Sequence, residues 1–123
     1  MTILVVEDDP LVRSLAVTQL TALGHLVFEA VDGPSALEVL RQPSDEVPID
    51  LLFTDVLLPG MDGKQLSEEV VRLIPGVAVL FASGYTRDSL GTDGRLPPGV
   101  RLLEKPYRRR DLAEAIEATL AER

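Results

Sequence analysis

Residues 51–63 read LLFTDVLLPGMDG, from Leu51 to Gly63. The stretch opens on four residues without the alternation of a half-exposed strand, which indicates a strand covered on both faces, as in a parallel sheet with helices above and below. Asp55 stands at the carboxyl end of that strand, and Leu58-Pro59-Gly60 supplies turn chemistry directly after it. Beyond Gly63, Leu66, Val70 and Leu73 recur at helical spacing until Pro75-Gly76 ends the pattern. One strand followed by one amphipathic helix is the repeating unit of an α/β domain.

The unit recurs on both sides. Ile3 to Val6, Leu26 to Phe28, Val77 to Ala82 and Val100 to Leu103 are the other apolar segments, giving five strands in all. The first helix is expected to take Asp9 as N-cap and Pro10 as its first residue, to turn Val12, Leu15, Ala16, Leu20 and Leu23 inward, and to end at Gly24. A second follows Gly33-Pro34 with Ala36, Leu37 and Leu40 inward. The last has the clearest period, in Leu112, Ala115, Ile116, Thr119 and Leu120. Between Ser83 and Gly99, the residues Gly84, Gly91, Gly94, Pro97, Pro98 and Gly99 predict a mobile loop with at most a short helix. The pattern predicts a three-layer α/β/α fold around a five-stranded parallel sheet, with residues 1–123 forming a single domain.

Composition removes whole classes of function. The absence of cysteine excludes disulfides, thiolate metal sites and cysteine nucleophiles. A formal charge of −8 repels polyanions, and Arg108-Arg109-Arg110 is short and followed by Asp111, so no direct contact with nucleic acid is expected. No apolar run reaches the ~20 residues that span a bilayer, and MTILVVEDDP lacks the basic lead of a signal peptide, so no membrane insertion and a cytoplasmic location are expected. Neither a GxxxxGK[ST] nor a GxGxxG string is present to cradle a nucleotide.

In an open parallel sheet, chemistry gathers beyond the carboxyl ends of the strands. There stand Glu7, Asp8 and Asp9 after the first strand, Asp55 after the third, Ser83 and Gly84 after the fourth, and Glu104, Lys105 and Pro106 after the fifth. Carboxylates brought this close repel one another by on the order of 1 kcal/mol per pair, which a bound cation relieves. All-oxygen ligation suits Mg²⁺, which keeps several waters and bridges to phosphate. A carboxylate there is placed to attack a phosphoryl group, with Lys105 and the Ser83 hydroxyl to bind its oxygens. Individually these residues have plainer readings: a solvated strand end with a helix cap for Glu7, Asp8 and Asp9, and a turn-starting aspartate for Asp55. Lone His25, in a helix-to-strand connection, is assigned no function. Gly60, Gly63 and Gly84 are expected to serve turns and close backbone approach.

ILVVEDDP, LLFTDVLLPGMDG, VLFASGYTRD and LLEKPY resemble the four signature segments of the response-regulator receiver domains of two-component signalling, across essentially the whole chain. The resemblance implies a sheet in order 2-1-3-4-5, the flavodoxin-like arrangement, and a phosphorylation switch with Asp55 as phosphoacceptor. It implies Asp8 as the main side-chain Mg²⁺ ligand, Glu7 assisting through water, and the Leu57 backbone carbonyl as a further ligand. Ser83 becomes the hydroxyl that moves toward the phosphoryl group, and Lys105 its cationic partner, with a cis bond to Pro106. The implied donor is a phosphohistidine on a sensor histidine kinase or histidine phosphotransfer protein, with an unidentified protein downstream. Such a domain catalyses only its own modification. VLFASGYTRD and GRLPPGV also resemble receivers attached to hybrid kinases.

One departure stands out: where the family usually carries Phe or Tyr three residues before the lysine, this chain has Leu102. Tyr85 or the segment after it is a substitute reporter, and Leu57 and Tyr85 beside the acceptor are expected to exclude water and prolong the phosphorylated state. Two rival functions remain: a receiver-like interaction module that is never phosphorylated, and a small phosphatase with an aspartyl-phosphate intermediate.

Overall fold

A computed structural model of the chain describes residues 1–41, 49–56, 58, 60–83, 100–104 and 107–121, with backbone only at 83, 100, 101 and 104. The strands are β1 (Thr2–Val6), β2 (Leu26–Ala30), β3 (Leu51–Asp55), β4 (Ala78–Ser83) and β5 (Val100–Glu104). The helices among the described residues are α1 (Pro10–Ala22), α2 (Gly33–Arg41), α3 (Gly63–Leu73) and α4 (Arg109–Ala121). All strand pairs are parallel, in order β2-β1-β3-β4-β5. The expected flavodoxin-like architecture is what the chain adopts. The 84–99 segment, for which a loop was expected, lies outside the described residues.

Alternate side chains of the buried strands point to opposite faces. Leu4, Val6, Leu52, Val79 and Phe81 meet Leu37 of α2 and Leu66 and Val70 of α3 on one side. Ile3, Val5, Leu51, Phe53 and Leu80 meet Ala16 and Leu20 of α1 and Leu112 and Ile116 of α4 on the other. Two cores around one sheet make three layers and fix which strand ends share an edge.

Helix boundaries follow from local chemistry. Asp9 caps α1, its carboxylate accepting from the N–H groups of Leu11 and Val12 at 2.9 and 3.3 Å, and Pro10 follows it at the start of the helix. The chain leaves α1 through Gly24 at φ +94°, as expected. Asp62 caps α3 in a reciprocal box with Gln65, each side chain accepting from the other residue's N–H, at 2.8 and 3.0 Å.

Three inward assignments are corrected. Leu15 is 55% exposed, Leu23 37% and Leu73 50%. The sheet reaches only part of the apolar stripe on α1 and α3, so residues at its margin face solvent although the period places them with the core. Val77 precedes β4 instead of opening it.

Candidate functional site

The site forms where β1 and β3 lie side by side, with Val6 level with Thr54. Glu7 follows β1, its N–H donating to the Ala30 carbonyl at 3.1 Å, so the ladder holds this acidic residue in place. Asp55 is the last residue of β3 and pairs with Ala82, and the Val56 N–H donates to the Ala82 carbonyl at 3.1 Å. One carboxylate oxygen from each of Glu7, Asp8 and Asp55 lies within 4.8 Å of the other two, with Glu7 buried, Asp55 half-buried and Asp8 exposed. Asp9 stands apart as the helix cap, and its N–H donates to Glu7 Oε1 at 3.2 Å.

Three carboxylates this close repel one another, and three oxygen donors graded from buried to exposed suit a hard cation that keeps part of its water. Beneath the cluster a cavity of about 10 Å³, lined by Glu7, Thr54, Asp55 and Tyr107 among others, has room for about one water. Tyr107 packs its ring 6.0 Å from that of Phe53.

Of the other sequence candidates, Ser83 ends β4 one residue beyond the level of Asp55, and its backbone pairs with Glu104. The carboxyl ends of β4 and β5 therefore reach the same edge as Asp55. Lys105, the Leu57 carbonyl, Pro106 and Tyr85 lie outside the described residues. Leu102 is half-buried and packs against the α2/α3 core.

The sequence reading missed Arg13. Its Nη1 donates to the Glu7 backbone carbonyl at 3.0 Å, and its Nε pairs with Glu29 Oε1 at 3.0 Å. One guanidinium thus ties α1 to the end of β1 and to β2, an arrangement that uses its fork of fixed donors. Only the pairing of β1 with β2 brings Glu29 within reach, so no local pattern signals this contact.

Comparison with known proteins resolves the family. The family model for the response regulator receiver domain matches residues 3–117. The chain belongs to the response-regulator receiver family. It is 35% identical over 118 residues to the response regulator receiver protein CpdR of Brucella abortus, spanning 96% of this chain and 95% of that protein. It is 34% identical over 119 residues to the sensor kinase CckA of the same organism, spanning 97% of this chain and 12% of the kinase. The crystal structure of the receiver domain from the hybrid histidine kinase CckA superposes with a TM-score of 0.81 at 37% identity, covering 98% of this chain and 99% of that one. A Vibrio cholerae CheY4 structure, at 22% identity and a TM-score of 0.83, shares the fold. Receiver domains are signalling switches of two-component systems, not classical enzymes, and bind Mg²⁺ at an acidic site. No described helix is long and apolar enough to cross a membrane.

Proposed function

We propose that residues 1–123 act as a single receiver domain that accepts a phosphoryl group on Asp55, with Mg²⁺ held by Glu7, Asp8, Asp55 and the Leu57 carbonyl. The observation that carries this reading is the meeting of three carboxylates from two strands, with oxygens within 4.8 Å of one another, at the carboxyl edge of the sheet. The donor set is all oxygen, which fits magnesium. A bound Mg²⁺ supplies charge neutralisation for the phosphoryl oxygens.

In the transfer, a carboxylate oxygen of Asp55 forms the new bond to phosphorus as the P–N bond of a phosphohistidine breaks, its electron pair returning to the imidazole nitrogen. Ser83 and Lys105 bind the phosphoryl oxygens. The donor is a sensor histidine kinase or a histidine phosphotransfer protein, and the modified domain shifts population between two conformations that a downstream protein distinguishes. The half-buried position of Asp55 supports its part, since it is open to a donor yet held by the strand pair.

Incubation with a small phosphodonor and Mg²⁺, followed by intact mass measurement, tests this. A single phosphoryl adduct that disappears in Asp55→Ala and on chelation of the metal is the expected result. No adduct favours the unphosphorylated interaction module, and steady release of phosphate with continued consumption of donor favours the phosphatase.

A further inference from the structure

We propose that Gly63 is a positioning residue for Asp55: the first residue of α3 lacks a β-carbon so that the Asp55 carboxylate can stand beside Glu7 and Asp8. The inference rests on the proposed role of Asp55 and adds to it the structural requirement that holds this carboxylate in place.

Gly63 is buried, and its N–H donates to the Val56 carbonyl at 2.7 Å, which draws the start of α3 onto the chain just past β3. A β-carbon at this position would overlap the Asp55 carbonyl oxygen and lie 3.0 Å from Val56 Cα and 3.1 Å from the Asp55 carbonyl carbon. All three are backbone atoms, and this backbone has little freedom to yield. The Val56 N–H is bonded to β4, Asp55 pairs with Ala82, and the Thr54 hydroxyl donates to the Asp55 carbonyl at 3.0 Å. The helix is equally fixed, by the Asp62–Gln65 capping box. An added methyl must therefore either withdraw α3 and break the 2.7 Å bond or turn the Asp55–Val56 peptide, and the second outcome swings the carboxylate away from its neighbours. Gly63 is not among the residues with positive φ, so space and not backbone freedom is what requires glycine here.

Gly33, at the start of α2, supplies the control. A β-carbon there would meet Met61 Sδ at 2.8 Å and Met61 Cβ at 2.9 Å; a rotamer change moves the sulfur, but the Cβ moves only with the Met61 backbone, in the loop before α3. The crowding at Gly33 therefore falls on loop backbone and not on the strand residue that carries the carboxylate.

The test compares wild type, Gly63→Ala and Gly33→Ala by the ¹³C resonance of the Asp55 carboxyl, assigned by its loss in Asp55→Asn, and by the maximal rate of phosphorylation at saturating small phosphodonor. In Gly63→Ala the resonance is expected to shift and the maximal rate to fall roughly 10- to 100-fold, the scale of a carboxylate misplaced by about an ångström. Gly33→Ala, which presses on the loop and not on the Asp55 backbone, is expected to change both less than Gly63→Ala does. A folded Gly63→Ala protein with the wild-type resonance and rate overturns the proposal. A shifted resonance in a domain whose wild type takes up no phosphate overturns the phosphoacceptor reading and leaves the positioning role standing. Should Gly63→Ala not fold, exchange of the Gly63 amide in wild type decides: slow exchange supports the close approach to Val56, and free exchange overturns it.

Discussion

Helices α1 and α3 both begin at the edge of the sheet that carries the acidic cluster, yet they are held there by opposite means. The α1 helix is attached by added polar groups, the Arg13 guanidinium on the Glu7 carbonyl and the Asp9 cap whose own N–H reaches Glu7. The α3 helix is attached by a missing one, Gly63, with Leu66 and Val70 driven fully into the core behind it. On α1, Ala16 and Leu20 are likewise buried, but Leu11 at its start is 81% exposed. A helix tied by side chains can adjust with them, whereas a helix seated on strand backbone passes any displacement to Asp55. The two sides of the site therefore differ in how much change they tolerate.

The largest effect expected from this contrast is on stability. Leu66→Ala removes a side chain with no exposed surface and is expected to cost about 2–5 kcal/mol. Leu11→Ala should stay within about 0.5 kcal/mol. Chemical denaturation of both variants checks the pair, and a similar loss at the two positions would show that the start of α1 is packed as tightly as the core face of α3.

Next comes Arg13→Ala, expected to cost about 1.5–3 kcal/mol, the range for a hydrogen bond from a charged donor, because its guanidinium is mostly covered and leaves the Glu7 carbonyl without this partner. The exposed Glu29 partner adds little to that figure. Under the proposed function the same variant also weakens Mg²⁺ binding, since Glu7 loses one of its restraints. A Mg²⁺ titration that matches wild type would confine Arg13 to a structural role.

The caps give a smaller difference. Asp62→Ala and Asp9→Ala are each expected to cost about 1 kcal/mol, with Asp62 the more damaging because Gln65 loses its reciprocal partner as well. Thermal unfolding of the two variants ranks them, and a larger loss at Asp9 would show that its N–H contact to Glu7 matters more than the capping box.

Much of this was legible in the sequence because the signals are local. Continuous apolar strands, an Asp-Pro helix start and a carboxylate after a strand each state their structural role within a few residues, and the 2-1-3-4-5 sheet order agrees with the family pattern. Glu7, Asp8 and Asp55 were placed together for the same reason, since strand ends in one parallel sheet share an edge. The exposure of Leu15, Leu23 and Leu73 was not legible, because a period gives the direction of a helix face and not the width of sheet available to cover it. Arg13 escaped because its partner Glu29 lies 16 residues away on another strand. Gly63 was legible as a close approach, but the identity of the backbone it approaches belongs to the tertiary structure.

The smallest effect separates the far end of α1 from the site. His25 follows Gly24, its N–H donates to the Leu20 carbonyl at 3.2 Å, and among the described residues its Nδ1 is buried without a hydrogen-bond partner. Burial, and then the nearby N-terminal ammonium, lower its pKa from the ordinary 6.5. Arg110, Glu114 and Glu117 of α4 line the groove beside it. Because the folded protein favours the neutral ring, the unfolded chain takes up the proton first as pH falls. The stability contributed by the neutral histidine is thus complete above 6.5 and is lost as pH drops through that value toward the lower folded one. The Asp32 carboxylate, lowered from 3.8 by hydrogen bonds from the Ser35 N–H and hydroxyl, gives up its contribution only in a more acidic window, as pH falls below that value, so the two do not overlap. The thermal midpoint of wild type is expected to decline between about pH 7.5 and 5.5, and that of His25→Gln to decline less. Equal slopes would place the titration elsewhere in the chain. A slope that differs while phosphorylation at Asp55 keeps the same pH profile would show that this end of α1 bears on folding alone, and that only its Asp9 end bears on the site.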